Sequence, residues 1–158
     1  MFTFLTSFAR AAVIVTLLTT PFSISGGVID EVESEIQCLA ANIYYEARGE
    51  SLKGRIAVGN VTLNRSKSPS FPSSVCAVVN QKHKKMCQFS WVCTKATLPA
   101  IKEELYAEIE NLASKLYKGD LKDVTKGATH FHNNEVSPEW SYKYKATVHI
   151  GKHIFYKR

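Results

Sequence analysis

One helical pattern near the start of the chain constrains the fold more than any other feature of the sequence. Apolar residues recur there at the spacing of a helix, so we expect them to form a single buried stripe. They are Ile36, Leu39, Ala40, Ile43 and Ala47. Gly49 follows the last of them and offers a helix stop. The sequence therefore predicts an amphipathic helix that packs against a core and ends near Gly49.

A glutamate lies on the flank of this stripe. Because each residue turns the helix by about 100°, Glu46 lies beside Leu39 and Ile43, which precede it by two turns and one turn of the helix. Burial and the negative end of the helix dipole both raise the pKa of such a carboxyl group. A group of this kind keeps its proton near neutral pH and can act as a general acid. The alternative is a partly solvated glutamate paired with Arg48 or Arg55.

The first 25 residues have the pattern of a secretory signal. Arg10 is their only charged residue, residues 11–18 are apolar, and small residues suited to cleavage follow. The apolar run is short for a membrane span, with an uncleaved amino-terminal anchor as the alternative. We therefore expect an exported protein, periplasmic or extracellular, with a signal peptide at 1–25 and a single domain at 26–158.

Four cysteines follow the predicted signal, and an oxidising compartment pairs such residues. Of the three possible connectivities we favour Cys38–Cys76 with Cys87–Cys93. The first pair closes a long loop, which the chain-entropy model values at about 4 kcal/mol. The second pair closes a short, rigid loop. A zinc site is the competing use, and the spacing lacks the C-x-x-C pairs typical of one.

The remaining helices are predicted from periodicity and capping. Residues 54–65 are apolar on most sides and indicate a buried central helix. A Ser/Pro-rich turn follows at 66–72, and then a short helix through Val79 that Ser73 or Ser74 can cap. A third helix is predicted from Pro99 to Gly119. Its apolar stripe is Ile101, Leu105, Ile109, Leu112 and Leu116.

The tail follows a different period. Residues 146–156 alternate around Gly151 and Lys152, which predicts a β-hairpin. Residues 83–85 are predicted to form a basic loop. The chain is therefore predicted to be a mainly α (α+β) single domain with a small β-hairpin.

Two further segments combine aromatic rings with hydrogen-bonding side chains, at 88–91 and at 127–140. Sugars are bound by this mixture, because aromatic faces cover C–H groups while amides, hydroxyls and imidazoles bind hydroxyl groups. Ordinary core packing of the Phe and Trp residues is the alternative.

The histidines raise the question of a metal. His130 and His132 alternate, so on a strand they can chelate zinc, with His149 and His153 further along the chain. Because no acid or cysteine is well placed beside them, we expect no metal. The chain has no Gly-rich phosphate loop, and we expect no cofactor.

A series of short blocks runs through nearly the whole chain after the predicted signal. The blocks are residues 38–40, 43–50, 54, 57–58, 63–65, 71–72, 75–79, 87–91, 127–132 and 150–156. In this order they resemble the SleB-type (spore-cortex-lytic) family of cell-wall hydrolases. The resemblance implies a lysozyme-like, lytic-transglycosylase-like fold. It also implies cleavage of the β-1,4 bond between N-acetylmuramic acid (MurNAc) and N-acetylglucosamine (GlcNAc), with Glu46 as the catalytic acid.

The reaction depends on the nucleophile that follows proton donation by Glu46. If the 6-hydroxyl of the muramic acid attacks, the product is 1,6-anhydro-MurNAc and the enzyme is a lytic transglycosylase. If water attacks, the enzyme is a muramidase, which normally needs a second carboxylate. Glu50 is the nearest candidate, and we expect it to support a hydrogen-bond network instead. The single glutamate of the family favours the transglycosylase.

The predicted supporting residues form two walls of a glycan cleft around Glu46. The substrate-binding residues predicted are Tyr45, Glu50, Gln88, Ser90, Trp91, His130 and His132. Asn64 and Arg65 are predicted to tie the buried helix to the segment that carries Glu46.

Two rival functions are considered. One is a non-catalytic peptidoglycan-binding module, in which Glu46 is replaceable. The other is a nucleic-acid binder, suggested by the basic segment 82–85 and by a net charge of +6, or +5 once Arg10 is removed. Export argues against it, and positive charge equally suits the anionic cell wall. The partners we expect are peptidoglycan glycan strands and no nucleic acid. Membrane contact is expected only through the signal or an uncleaved anchor, and no oligomeric state is indicated.

Overall fold

The structure, a computed structural model, describes residues 26–94 and 98–158 of the chain. The signal predicted at 1–25 lies outside the described residues. The helices are α1 (Gly26–Ala47), α2 (Leu52–Ser66), α3 (Val75–Val79), α4 (Ser90–Cys93) and α5 (Glu103–Lys118). The strands are β1 (Lys82–His83), β2 (Met86–Cys87), β3 (His130–Asn133), β4 (Lys145–Ile150) and β5 (His153–Lys157). A 3-10 helix spans Glu139–Tyr142.

Helix α1 buries the whole predicted stripe, whose members are at most 6% exposed. It ends at Ala47, and a short turn through Gly49 leads to α2. Ser51 caps α2, since its hydroxyl accepts a hydrogen bond from the Gly54 backbone N–H at 3.3 Å. The turn therefore fixes the end of α1, and with it Glu46, against the start of α2.

Helix α2 is the central helix, as the sequence predicts. Gly59 lets it pass close to two neighbours, because a Cβ there would lie 2.7 Å from Leu116 and 3.0 Å from Ile43. A large core formed mainly by α1, α3 and α5 lies on one side of α2. A small core on its other side contains Ala57, Val61, Ala128, Ile150 and Phe155. Helix α2 thus separates the helical layer from the sheet.

Helix α5 begins at Glu103, later than the predicted start at Pro99. The reason is a tertiary contact: the Lys102 backbone N–H donates to the Tyr44 hydroxyl at 2.9 Å, which holds the preceding segment outside the helix. Ile101 therefore lies before the helix and is 43% exposed, not part of the buried stripe. The predicted end is confirmed, with Gly119 in the left-handed conformation at φ +83°.

The predicted hairpin is confirmed as β4 and β5, and β3 adds to its other side in the order β3-β5-β4. All pairs are antiparallel, with His130 opposite Tyr156 and Phe131 opposite Phe155. Because side chains alternate, Phe131 packs on the small core while His130 and Tyr156 lie on the opposite face. The basic loop predicted at 83–85 forms the turn of a second small hairpin, β1-β2.

Two disulfides link the elements in the pairing that the sequence favours. Cys38–Cys76 joins α1 to α3, and Cys87–Cys93 joins β2 to α4. The fold is mainly α with small antiparallel sheets, as predicted. Within residues 26–94 and 98–158, no helix has the length and apolar character that a membrane crossing requires.

Candidate active site

Glu46 lies in the last turn of α1 and is partly buried. Burial raises the pKa of its carboxyl group from 4.5 to about 6, and the positive charge of Arg65 opposes that rise. The direction of this shift is the one that the helix-flank pattern predicts. Among the described residues, the Glu46 carboxyl group forms no hydrogen bond or ion pair. Within the part of the chain that the structure describes, its proton is therefore not shared with another side chain.

The alternative pairing of Glu46 with Arg48 or Arg55 is wrong. The Arg48 guanidinium lies over the Tyr44 ring, 5.3 Å from its centroid. Arg55 donates to the Arg48 carbonyl at 3.1 Å and reaches Glu108 at 3.9 Å. Both arginines are thus engaged at the turn and at α5.

Arg65 supplies the charge that acts on Glu46. It is only 3% exposed, and its Nε donates to the Thr129 carbonyl at 2.6 Å. Its guanidinium lies between two aromatic rings, 5.3 Å from the centroid of Phe71 and 5.2 Å from that of Phe89. Burial lowers the pKa of Arg65 to about 10, opposed by Glu46, so the group stays charged at neutral pH. Arg65 thereby connects the acid electrostatically to strand β3.

Asn64, predicted to act together with Arg65, binds elsewhere. Its amide donates to Asp123, Thr125 and the Ala128 carbonyl at 3.0–3.3 Å. The prediction for Asn64 is therefore corrected: it holds α2 to the loop before β3, not to the segment that carries Glu46. Arg65, predicted to make the same tie, also donates its hydrogen bond to the segment before β3, and it acts on Glu46 through its charge, an effect that the sequence does not predict. The available signal is that Arg65 is the only charged residue between positions 56 and 66.

His130 lies beside Arg65 at the start of β3. Its Nδ1 is 3.0 Å from the Thr129 hydroxyl, and its ring is 5.9 Å from that of Phe71 and 4.8 Å from that of Tyr144. Burial, with the nearby charge of Arg65, lowers the pKa of His130 to about 4. The imidazole is therefore neutral at physiological pH and suited to hydrogen bonding with a hydroxyl group.

His132 lies two residues along the same face of the sheet. Its Nδ1 is 2.8 Å from the Asn133 carbonyl, and its Nε2 is 2.9 Å from the Tyr156 hydroxyl. A carbonyl only accepts, so in the neutral ring Nδ1 carries the proton and Nε2 accepts from Tyr156. Trp140 packs edge-on against both His132 and Tyr156, with centroid distances of 5.6 and 5.4 Å. The predicted histidine wall is thus an aromatic surface. It includes Trp140, from the segment predicted to bind sugars, and Tyr156, which the sequence does not single out for this role.

Trp91 packs against α1, the helix that carries Glu46. It is 8% exposed, and its indole N–H donates to Asn42 at 3.0 Å. Asn42 in turn donates to Thr62 at 2.9 Å. Tyr45 stacks on Trp91, with the ring centroids 4.7 Å apart. The sequence predicts that Trp91 lines a cleft, but the structure buries it, whereas Tyr45, which stacks on it, is partly exposed.

Three other predicted residues lie apart from this group. Gln88 and Ser90 are exposed, and Gln88 lines a small separate cavity of about 240 Å³ together with Gln81 and Met86. The Glu50 carboxylate accepts the backbone N–H of Lys152 at 3.2 Å, at the turn between β4 and β5. Glu50 therefore holds the hairpin against the α1–α2 turn, in line with the predicted hydrogen-bond role.

The four histidines considered for zinc do not come together with acidic or cysteine side chains as a metal-binding site. In the part of the chain that the structure describes, no group of three or more His, Cys, Asp or Glu side chains is placed to hold a metal ion. His132 uses both ring nitrogens within the sheet.

A mainly α domain with a small antiparallel sheet is typical of the lysozyme-like fold. The family model described as Cell Wall Hydrolase matches residues 49–156. The chain therefore belongs to the Cell Wall Hydrolase family of enzymes. Glu46 lies just before the matched segment.

The sequence is also similar to those of several enzymes named for their action on the spore cortex. The spore cortex-lytic enzyme of Halalkalibacterium halodurans is 31% identical over 126 residues, which are 78% of this chain and 34% of that protein. The enzyme of the same name from Bacillus subtilis is 29% identical over 125 residues, 77% of this chain and 37% of that protein. The chain thus spans little more than a third of the length of these two relatives.

Two solved structures share the fold. The catalytic domain of the Bacillus cereus SleB protein superposes with a TM-score of 0.62 at 30% identity, covering 79% of this chain and 91% of that one. The catalytic domain of the germination-specific lytic transglycosylase SleB from Bacillus anthracis gives 0.62 at 28% identity, covering 87% and 100%. The resemblance to the SleB-type family and the lysozyme-like fold are therefore confirmed.

Proposed function

We propose that this protein is a lytic transglycosylase that cleaves the β-1,4 bond between MurNAc and GlcNAc in peptidoglycan. The observation that carries the proposal is the pKa of about 6 of Glu46, whose partly buried carboxyl group has no hydrogen-bond partner among the described residues. A group with this pKa holds its proton long enough to donate it and readily takes it back. The name of the Bacillus anthracis relative, a lytic transglycosylase, supports the same reaction.

In the first step, protonated Glu46 donates its proton to the glycosidic oxygen. The bond from this oxygen to C1 of the muramic acid breaks, GlcNAc leaves as an alcohol, and positive charge develops at C1 in an oxocarbenium-like state. Glu46 is now a carboxylate, and the positive charge of Arg65 stabilises it.

In the second step, the Glu46 carboxylate removes the proton from the 6-hydroxyl of the same muramic acid. The freed oxygen attacks C1 and closes the 1,6-anhydro ring, which leaves Glu46 protonated for the next cycle. One carboxyl group therefore serves as both acid and base, and no water is consumed.

Within the described residues, no second acidic charge acts on the pKa of Glu46, and this supports the route. Two carboxylates about 5 Å apart, as in retaining hydrolases, raise one another's pKa strongly. Among the described residues, the only charge acting on the pKa of Glu46 is that of Arg65. Glu50 is engaged with the Lys152 backbone. A muramidase that activates water, the second candidate, lacks an evident base here.

We propose peptidoglycan glycan strands as the substrate and an extracytoplasmic location. Tyr45, His130 and His132 are proposed to contact the sugars, since they offer a stacked phenol and imidazoles on an aromatic surface. The proposed export rests on the amino-terminal signal pattern and on the two disulfides.

Mass spectrometry of digested peptidoglycan tests the proposal. Purified, disulfide-bonded wild type is compared with Glu46→Gln, and with Glu31→Gln as a control for losing one exposed negative charge near the start of α1. Anhydro-muropeptides from wild type and Glu31→Gln, absent with Glu46→Gln, are expected. Reducing-end products would favour the muramidase. No cleavage by folded wild type would favour a non-catalytic binding module.

A further inference from the structure

A cavity of about 500 Å³ opens beside the candidate active site, between the loop after α2 and the end of β5. Three cationic side chains line it: those of Lys67, Lys157 and Arg158. The serines at positions 68 and 70 add hydroxyl groups, and Pro69 adds apolar surface. Among the residues that the structure describes, no Asp or Glu belongs to this lining. The cavity therefore suits an anion with apolar portions.

The nearest carboxylate does not cancel this charge. Asp123, in the loop before β3, accepts hydrogen bonds from Thr125, from the Gly127 backbone N–H and from Asn64. These bonds lower the pKa of Asp123 and hold its carboxylate within its own loop. Gly127 also leaves room for Lys157, whose Nζ would lie 3.5 Å from a Cβ at that position.

The cavity shares two lining residues with the surroundings of Arg65, whose charge acts on Glu46. Phe71 and Thr129 line it, and both also contact Arg65, one through its ring and the other through its carbonyl. The same two residues contact His130 on the other side. The charge of Arg158 lowers the pKa of His130, so the cationic lining is electrostatically coupled to this imidazole.

We propose that this cavity binds the carboxylates of the stem peptide that peptidoglycan carries on its muramic acid. The inference rests on the proposed function. The muramic acid whose C1 reacts over Glu46 bears, on O3 of the same ring, a lactyl group linked to a short peptide with free carboxylates. A bound strand therefore carries acidic groups within a short distance of Glu46, and the cationic cavity lies in that neighbourhood. The enzyme then recognises peptide-bearing strands in preference to bare glycan.

The test compares two substrates and three proteins. The substrates are purified glycan strands with their stem peptides, and the same strands after an amidase has removed the peptides. The proteins are wild type, the Lys67→Gln/Lys157→Gln variant, and a matched Lys53→Gln/Lys115→Gln variant. Lys53 lies at the opposite end of α2 from Lys67, and Lys115 lines another cavity. The readout is kcat/KM for cleavage.

The cavity variant is expected to lose roughly tenfold in kcat/KM on peptide-bearing strands, as for two partly exposed ionic contacts, and nothing on stripped strands. The matched variant is expected to equal wild type on both. Added salt is expected to reduce the wild-type preference for peptide-bearing strands. Wild-type cleavage restricted to peptide-bearing strands, with a loss in the cavity variant, supports the proposal equally.

Equal loss on both substrates, or no loss on peptide-bearing strands, would overturn the proposal while the proposed function stands. A loss seen only on whole walls that retain phosphodiester polymers would assign the cavity to those polymers, and would overturn it too. If wild type cleaves neither substrate, the proposed function fails and this inference fails with it.

Discussion

Replacing Glu46 by glutamine is expected to stabilise the fold at neutral pH and to leave its stability unchanged in acid. Burial raises the pKa of this carboxyl group from 4.5 to about 6, so the folded state binds the proton more tightly than the unfolded state does. Below pH 4.5, Glu46 is protonated in both the folded and the unfolded state, so its burial does not lower the free energy of unfolding. As the pH rises through 4.5 to 6, the folded state loses stability relative to the unfolded state.

The magnitude follows from the same pKa values. One pKa unit corresponds to about 1.36 kcal/mol, so ionising Glu46 in the folded state costs about 2 kcal/mol above pH 6. Glutamine has the same shape and no charge, so Glu46→Gln removes this cost. The difference in free energy of unfolding between variant and wild type should rise from near zero at pH 4 to about 2 kcal/mol at pH 7.

Urea denaturation of the disulfide-bonded proteins at several pH values between 4 and 8 measures this difference, with an unchanged m-value as a check on the unfolded state. Glu135→Gln is the control for losing one exposed charge. A difference in free energy of unfolding that stays constant across this pH range, or that has the opposite sign at pH 7, would show that burial does not raise the pKa of Glu46.

Three further predictions concern catalysis and packing. Because Glu46 must be protonated to donate, kcat/KM of wild type is expected to fall above about pH 6, tenfold per pH unit; a flat profile up to pH 8 contradicts its role as the acid. Trp91→Phe removes the N–H that serves a buried amide oxygen, and a loss of about 1–3 kcal/mol in urea denaturation is expected; a loss below about 0.5 kcal/mol contradicts the importance of that bond. Gly151 has φ +59°, so Gly151→Ala is expected to lose about 1–2 kcal/mol of stability in urea denaturation through backbone strain. The added Cβ would also overlap the Glu50 carboxylate and displace it. Gly119→Ala is the matched control, because Gly119 has φ +83° and no atom lies within reach of an added Cβ, so its loss of stability measures the backbone strain alone. Equal losses of stability in the two variants would show that displacing the Glu50 carboxylate costs nothing further.

The sequence predicts most helices and the β4–β5 hairpin, because the spacing of apolar residues and the turn residues that determine them lie close together in the chain. The stripe of α1, its end near Gly49 and the β4–β5 hairpin each depend on residues close in sequence. The raised pKa of Glu46 was also predictable, since burial of its flank follows from the helix period alone.

Contacts between distant residues were not predictable in this way. The Arg65 charge reaches Glu46 only after α2 has packed against α1. Tyr44 sets the start of α5 through Lys102, far along the chain. An aromatic residue in a polar segment fits equally well on a surface or in a core, so the sequence could not show that Trp91 would be buried.

The two disulfides connect cysteines that are consecutive along the chain, the first with the second and the third with the fourth. Neither loop encloses the other. When a chain crosses a membrane from its amino end, Cys38 emerges first and Cys76 is the next thiol available to it. Oxidation in order of emergence therefore produces the native pairs directly. For the export proposed above, the consecutive pairing makes disulfide reshuffling unnecessary, so an oxidant alone can complete the covalent frame.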